Sequence, residues 1–133
     1  MKLLLDTHVL LWWVRGGKNL TKNQARALRK ITPESPALVS DISLWEIANL
    51  VALGRIRVGE PLRNWLDQLV APPLVERVAI SPAVAAAVAD LPATFHRDPA
   101  DRILVATARV HRAVLVTQDE RIVASGLVET LHG

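Results

Sequence analysis

The chain has 133 residues, of which 50% are hydrophobic and 22% are charged, with a formal net charge of +3. This length and composition predict one globular domain over residues 1–133 and exclude disorder and low complexity. The sequence contains no cysteine, which excludes disulfides, thiolate zinc sites and a cysteine nucleophile. Any metal site must therefore use carboxylates, imidazoles or backbone oxygens.

The charge is unevenly distributed along the chain. Residues 1–30 contain seven Lys or Arg and one acid, whereas residues 67–133 contain six Arg and eight acids. A basic stretch and an acidic one are typical of a protein that meets a polyanion and also holds a cation, although solvated helix faces give the same pattern. The apolar runs at 1–5 and 9–14 are too short for a membrane span of about 20 residues and lack a signal-peptide cleavage site. We therefore expect a cytoplasmic protein with no membrane association.

The hydrophobic pattern predicts strands that alternate with helices. In chain order the predicted elements are a strand at 2–5, helices at 8–15 and 22–30, a strand at 37–40, a helix ending at 53, a helix at 62–70, a strand at 74–80, helices at 82–91 and 99–112, a strand at 113–117, a short turn or helix from 119, and a strand at 127–131. Short apolar strands separated by helices indicate an α/β domain whose mostly parallel sheet is covered on both faces.

Acidic residues stand beside several predicted strand ends. Asp6 follows the first strand, Asp119 follows the strand at 113–117, and Glu46 lies in the helix that leaves the second strand. In an open parallel sheet, ligands bind beyond the carboxyl ends of the strands, and right-handed crossovers place the following helix starts at the same edge. We therefore expect these three acids at one edge. The rule does not extend by itself to Asp101, whose helix precedes a strand.

The same acids have structural explanations. Asp6 and Asp119 could each be the N-cap of the helix behind them, and Asp98 could cap the helix that opens with the following proline. Asp101 would then stand at the third helical position, where a carboxylate interacts favourably with the helix dipole. Four such caps, however, have no reason to converge on one place.

Glu46 has a separate structural explanation, because Ser43 and Glu46 match a capping box. Carboxylates that do converge repel one another unless a cation neutralises them. Oxygen ligands without cysteine favour Mg²⁺ or Mn²⁺. An acidic pocket with such an ion, beside a basic surface, indicates phosphodiester cleavage.

Four segments carry a pattern in order along the chain: 3–8 (LLLDTH), 43–48 (SLWEIA), 98–108 (DPADRILVATA) and 115–119 (LVTQD). Together they resemble the PIN domain, and their order and spacing are similar to those of the VapC-type toxins of prokaryotic toxin–antitoxin pairs. The resemblance covers essentially the whole chain. It implies a three-layer α/β/α fold with a five-stranded parallel sheet of order 3-2-1-4-5, and a Mg²⁺- or Mn²⁺-dependent endoribonuclease.

The resemblance also implies that the catalytic and metal-binding acids are Asp6, Glu46, Asp101 and Asp119. Asp101 stands at the family's usual spacing before the Ala-x-Ala helix, so we assign it the third position. Asp98, three residues earlier, is the alternative, as a helix cap or an outer partner of the site.

Other polar residues near the predicted site fall into two groups. Thr7, Ser40 and Thr117 stand beside strand ends and could hydrogen-bond the acids or a phosphate, or could be ordinary turn and cap residues. Arg97 and Arg102 could contact the RNA backbone or form surface salt bridges.

The partners follow from the resemblance alone. Toxins of this family are usually dimers and are usually silenced by an antitoxin whose tail covers the acidic groove. The resemblance therefore implies an RNA substrate, a VapB-like antitoxin and a homodimer. Two alternatives stay open: a PIN nuclease that is not a toxin and acts on other RNA or on DNA, and a PIN-like interaction module without catalysis. The second would be expected to lack at least one of the four acids.

Several other enzyme classes fit poorly. A receiver-like module needs a late lysine, but no lysine follows Lys30, and an aspartyl-phosphate phosphatase needs an aspartate where His8 stands. No Gly-x-Ser-x-Gly turn or phosphate-binding glycine loop is present. His8 and His96 could support metal-free cleavage through the RNA 2′-hydroxyl, which would leave the acids unexplained.

The tryptophans all lie on predicted helices, at positions 12, 13, 45 and 65. Packing in the core or at a dimer interface accounts for them better than base stacking does. Trp12 and Trp13 are adjacent and face different ways, so we expect one of them to be exposed unless a partner covers it.

Overall fold

The computed structural model describes residues 1–133. Its strands are β1 (Leu3–Leu5), β2 (Ala37–Ser40), β3 (Val75–Val78), β4 (Val114–Val116) and β5 (Thr130–Leu131). They form one sheet of order β3-β2-β1-β4-β5, and every neighbouring pair is parallel. The predicted α/β fold class and strand order are confirmed.

The helices are α1 (Thr7–Val14), α2 (Lys22–Arg29), α3 (Asp41–Ala52), α4 (Leu62–Leu69), α5 (Pro82–Ala89), α6 (Pro99–His111) and α7 (Glu120–Ser125). Each predicted element is present. The main difference is that the two edge strands are shorter than predicted. Strand β5 has two residues and β3 has four. None of the helices is both long enough and apolar enough to cross a lipid bilayer.

The helix starts show why these segments fold locally. The Thr21 and Gln24 side chains form a reciprocal capping box at α2, and Ser81 caps α5 just before a proline. Such caps satisfy backbone N–H groups that have no partner inside the helix, and each contributes about 1 kcal/mol. Both helix starts are therefore determined by residues within a few positions of the cap.

Two apolar clusters cover the two faces of the sheet. On one face, Leu4 and Leu115 pack with Leu104 of α6. On the other face, Leu5 and Val116 pack with apolar residues of α1 and α2, among other elements. Successive strand residues point to opposite faces, and helices bury both faces. The central strand β1 is consequently buried along its whole length.

The register of the central strands determines which residues lie side by side at the carboxyl edge of the sheet. Leu5 pairs with Val116, and the Asp6 N–H donates to the Val116 carbonyl oxygen at 3.1 Å. Asp6 and Thr117, the residues immediately after these partners, therefore leave the sheet side by side. Helix α3 starts directly after β2, and the N-terminal half of α6 reaches the same edge, since Asp101 and Asp6 line one cleft there.

The exposure of the tryptophan side chains differs from the expectation. Trp12 and Trp13 are both half-buried and pack against the cluster that contains Leu5, so the prediction that one of them is exposed is wrong. Trp65 packs against the same cluster. Trp45 on α3 is the exposed one, with 59% of its surface accessible.

Candidate active site

A cleft of about 530 Å³ lies at the carboxyl edge of the sheet. Five of its lining residues are acidic: Asp6, Glu46, Asp98, Asp101 and Asp119. The structure therefore brings together the four acids that the sequence analysis selected and the alternative, Asp98. The sequence rule for strand ends did not place Asp101, and the packing of α6 against α3 and α5 places it.

Asp6 is both a helix cap and a cleft residue. Its Oδ1 accepts a hydrogen bond from the Val9 N–H at 2.8 Å, which caps α1. Its Oδ2 accepts a hydrogen bond from the Thr117 hydroxyl at 2.5 Å. The structural explanation of this residue is thus correct, and it does not exclude a second role for the carboxylate.

Asp119, like Asp6, both caps a helix and lines the cleft. Its Oδ1 caps α7 by accepting hydrogen bonds from the Arg121 and Ile122 N–H groups at 2.9 and 3.2 Å. Its Oδ2 lies 3.9 Å from the Arg121 guanidinium. That guanidinium is also 4.0 Å from Asp101 Oδ2, so Arg121 lies between two of the carboxylates. The sequence analysis did not select Arg121, although its position two residues after Asp119 offered a signal.

Glu46 is not part of a capping box, and that interpretation is wrong. Helix α3 begins earlier, with Ser40 as its N-cap, whose hydroxyl accepts a hydrogen bond from the Ile42 N–H at 3.1 Å. Glu46 instead accepts a short hydrogen bond from the hydroxyl of Thr7, whose Oγ1 also lies 3.0 Å from the hydroxyl of Ser43. Ser40 is fully buried and outside the cleft lining, so it acts as a cap, whereas Thr7 contacts an acid.

Asp98 and Asp101 occupy different positions. Asp98 is the exposed N-cap of α6, and its Oδ1 accepts a hydrogen bond from the Asp101 N–H at 3.1 Å. The Asp101 side chain is only 17% exposed, and its Oδ2 lies 2.7 Å from Nε2 of His96. His96 was predicted from the sequence only as a residue for metal-free cleavage, and its contact with Asp101 was missed because the loop before α6 gives no periodic signal.

Burial raises the pKa values of three of these acids. For Asp6, burial raises the pKa, the hydrogen bond from Thr117 opposes this, and the charge of Asp119 adds to it. For Glu46, burial again raises the pKa, opposed by the hydrogen bond from Thr7. The charge on Asp101 raises the pKa of Glu46 further.

The pKa of Asp101 is also raised by burial, against the hydrogen bond to His96, and the charges of Asp98 and Asp119 raise it further. Nearby carboxylates thus contribute to all three shifts. A bound cation would offset the repulsion between these carboxylates. A cation bound in the cleft would therefore favour the charged form of these carboxyl groups.

The donor atoms fit a hard divalent ion. Carboxylate oxygens with no thiolate are the ligands that Mg²⁺ and Mn²⁺ prefer. No three carboxylate or imidazole side chains are grouped tightly enough to hold an ion as a complete set. Mg²⁺ usually keeps several waters and takes one or two carboxylates plus substrate phosphates, so a ring of separated carboxylates around an open cleft fits a hydrated ion.

The two arginines selected from the sequence lie in different environments. Arg102 is buried, and its guanidinium donates to the carbonyl oxygens of Phe95 and His96 at 3.0 and 3.2 Å. It is therefore neither the RNA contact nor the surface salt bridge that the sequence analysis considered; it fixes the loop that carries His96. Arg97 is exposed and outside the cleft lining.

An all-parallel sheet of this order, with an acidic cleft at its carboxyl edge, defines an α/β protein with a candidate cation site. The family model described as PIN domain matches residues 3–125. The chain belongs to the PIN domain family. It is also 38% identical over 120 residues to Ribonuclease VapC22 of Mycobacterium tuberculosis, across 90% of this chain and 88% of that relative.

Solved structures of low sequence identity share the fold. VapBC2 from Rickettsia felis, bound to a DNA fragment from its promoter, matches with a TM-score of 0.72 at 15% identity, over 98% of both chains. FitAcB from Neisseria gonorrhoeae matches at 0.70 and 22% identity, over 97% of this chain and 96% of that one. VapBC-1 from nontypeable Haemophilus influenzae matches at 0.70 and 18% identity, over 98% and 97%.

Proposed function

We propose that this protein is a metal-dependent endoribonuclease, a VapC-like toxin that hydrolyses RNA phosphodiester bonds. The observation that carries the proposal is that Asp6, Glu46, Asp101 and Asp119 line one cleft, in which three carboxyl pKa values are raised. The 38% identity to a protein named as a ribonuclease supports RNA as the substrate. A phosphodiester is negatively charged, so this cleft needs a cation before such a substrate can approach.

We assign the metal to Asp6, Asp101 and Asp119, with Glu46 either as a further ligand or as the group that orients the attacking water. A bound Mg²⁺ or Mn²⁺ would supply a Lewis acid and would favour the deprotonation of water near neutral pH. Asp101 fits the third position better than Asp98, because its side chain is largely buried whereas Asp98 is an exposed cap.

The polar neighbours of the acids orient them. The Thr117 hydroxyl directs Asp6, the Thr7 hydroxyl directs Glu46, and His96 contacts Asp101. Such partners of metal-binding groups reduce their freedom and tune their basicity. In this assignment the acids hold the ion and the water, while Thr7, Thr117 and His96 fix the positions of the carboxylate oxygens.

The proposed partners are a VapB-like antitoxin, a second copy of this chain and an RNA, in the cytoplasm. The fold is shared with toxin–antitoxin complexes such as VapBC2, which supports an antitoxin. The exposed Trp45 indole offers apolar surface to a second copy.

The test is cleavage of a structured RNA by the purified protein in Mg²⁺ or Mn²⁺, with and without EDTA. The Asp6→Ala variant should lose cleavage, and the Glu34→Ala variant, which changes an exposed carboxylate outside the cleft, should keep it. We expect products with 5′-phosphate and 3′-hydroxyl ends. Cleavage that survives EDTA or Asp6→Ala would reject the proposal in favour of the histidines.

Two rival functions are separated by the same assay. A matched DNA strand, cut faster than the RNA, would indicate a DNA nuclease with the same site. Protein that binds Mn²⁺ but cuts neither strand, in a preparation shown to be free of bound inhibitor, would favour a non-catalytic interaction module.

A further inference from the structure

A second groove opens directly from the acidic cleft. It has a volume of about 500 Å³ and lies between α1, the loop after α1, and the end of α3. His8 and Trp12 line both the groove and the cleft. We call it the basic groove and define it by His8, Trp12, Arg15, Lys18, Arg55 and Ile56.

The charge of the basic groove is opposite to that of the cleft. Arg15, Lys18 and Arg55 line it, and no acidic residue does. All three are exposed, and none of them is in an ion pair with a carboxylate. Three unpaired cations around one groove create a positive potential that attracts an anionic chain. Within the chain itself these charges have no counterpart.

The groove is held in place relative to the cleft. Gly16 and Gly17 have φ values of +99° and +77°, a conformation that glycine adopts without strain, and they turn the chain toward Lys18. The Gln118 side chain, next to Asp119, donates to the Asn19 carbonyl oxygen at 3.0 Å. The loop that carries Lys18 is thus tied to the strand end that carries Asp119.

Two of the lining side chains have fixed orientations. The Arg15 guanidinium donates to the Arg57 carbonyl oxygen at 3.1 Å and lies 5.7 Å from the centre of the Trp65 ring. Trp12 is half-buried, and its ring centre lies 6.0 Å from that of His8 at the mouth of the cleft. Trp12 therefore stands between the cationic groove and the acidic cleft.

The cleft is also open on its other side. Arg121 lines the cleft and, together with His96 and Phe95, a further groove of about 430 Å³. The acidic cleft thus adjoins a groove on each of two sides.

We propose that the basic groove binds the single-stranded RNA segment on one side of the scissile phosphate, with Arg15, Lys18 and Arg55 on its phosphates and Trp12 stacked on a base. This inference rests on the proposed function, because it takes the acidic cleft as the place of cleavage. RNA is favoured over a protein segment because the groove is continuous with that cleft, and because each nucleotide carries a phosphate that the three cations can pair with.

The test measures RNA binding without cleavage, by fluorescence anisotropy of a labelled 12-nucleotide single-stranded RNA in EDTA. The Lys18→Gln/Arg55→Gln variant should bind about tenfold more weakly at low salt. Its slope of log affinity against log salt should fall by about 1.4, since each lost phosphate contact on a single strand changes the slope by about 0.7. The matched control is Lys2→Gln/Arg109→Gln, which removes the same charge from exposed positions outside the groove and should bind within twofold of the wild type.

A second pair of variants tests stacking. Trp12→Leu keeps an apolar side chain against the core but removes the aromatic face, and it should weaken RNA binding about fivefold or more without changing the salt slope. Trp13→Leu is the control, because Trp13 packs against the same cluster but lies outside the groove. Circular dichroism and thermal melting identify any variant that fails to fold, and the pair Lys18→Gln/Arg55→Gln, at exposed positions, then decides the matter.

The outcomes separate this inference from the proposed nuclease. If wild-type protein cleaves RNA but the double variant binds RNA with unchanged affinity and salt slope, the inference is overturned. If the double variant loses binding as expected while the wild type cleaves no RNA in Mg²⁺ or Mn²⁺, the groove is supported and the nuclease proposal fails.

Discussion

Thr117 and Asp6 are joined by a hydrogen bond across the ends of two parallel strands. The Thr117 hydroxyl donates to Asp6 Oδ2 at 2.5 Å, and its oxygen accepts a hydrogen bond from the Asp119 N–H at 3.0 Å. Thr117 is fully buried. One hydroxyl thus sets the relative positions of the acids that follow β1 and β4, and it lowers the pKa of Asp6 against the larger effect of burial.

Replacing this hydroxyl should weaken metal binding. Thr117→Val is close in shape but removes the donor, so burial would raise the pKa of Asp6 with less opposition and the carboxylate would be freer to rotate. We expect about a 10- to 100-fold loss of Mn²⁺ affinity, the usual cost of removing an outer partner of a metal ligand. Isothermal titration at pH 7 measures it.

The control for this prediction is Thr107→Val. Thr107 is also fully buried, but its hydroxyl donates to the Ile103 carbonyl oxygen inside α6 at 2.6 Å. It should bind Mn²⁺ like the wild type. Equal affinities for Thr117→Val and Thr107→Val would show that the Thr117 hydroxyl does not support the site.

The raised pKa of Glu46 has a consequence for stability in the absence of metal. A carboxyl group whose pKa is higher in the folded than in the unfolded state binds more protons when folded, so its effect becomes destabilising as the pH rises through the two pKa values. Glu46→Gln removes the titration and keeps an acceptor for Thr7. We expect it to melt at a higher temperature than the wild type at pH 8, and at nearly the same temperature at pH 4.

Thermal melting in EDTA between pH 4 and 8 tests this expectation. Glu34→Gln, at an exposed position outside the cleft, should follow the wild type throughout. An advantage of Glu46→Gln that is larger at pH 4 than at pH 8 would contradict the assigned direction of the pKa shift.

Arg102 should matter for stability. Arg102→Met would leave the carbonyl oxygens of Phe95 and His96 without their donor. Each buried group left without a partner costs about 1–3 kcal/mol, so losing the donor to both carbonyl oxygens should lower the free energy of unfolding by about 2–6 kcal/mol in urea denaturation. Arg97→Met, at an exposed neighbouring position, should change it by less than about 0.5 kcal/mol.

The Arg97→Met variant also tests the remaining RNA contact predicted from the sequence. Arg97→Met should weaken the binding of the labelled RNA by a few-fold and reduce the salt slope by about 0.7. If Arg97→Met left both quantities unchanged, Arg97 would have no part in RNA binding.

Trp45 is the residue through which we test the proposed homodimer. Trp45→Glu would place a charge at an exposed apolar position of α3, and burying an unpaired charge in an interface is costly. We expect Trp45→Glu to be monomeric by sedimentation at concentrations where the wild type is a dimer. Val110→Glu, at an exposed position on α6, should remain a dimer. A wild-type monomer, or a dimeric Trp45→Glu, would reject this interface.

The order of elements could be read from the sequence because it depends on local signals. Apolar runs of four or five residues, helix caps such as Thr21 and Ser81, and prolines at helix starts all act within a few residues. The position of Asp6 and Asp119 at the carboxyl edge of the sheet could also be predicted from the sequence, since strand ends and right-handed crossovers obey general rules.

The contacts within the cleft depended on tertiary structure. Ser43 and Glu46 match a capping box locally, yet α3 begins at Asp41, and Thr7 of another helix takes the Glu46 carboxylate. His96 reaches Asp101 because the loop before α6 folds back over that helix. No local periodicity reports such contacts.

By itself, the sequence determined the alternation of strands and helices, the parallel sheet and the presence of four acids with the spacing of the PIN domain, because these properties lie in residue types and their intervals. The tertiary structure decided which hydrogen bonds the carboxylate oxygens of those acids accept. It also decided that Arg102 is buried and that the cationic residues near Trp12 adjoin the acidic cleft. These outcomes depend on how α1, α3 and α6 pack at one edge of the sheet, and packing brings together residues that are far apart in the chain.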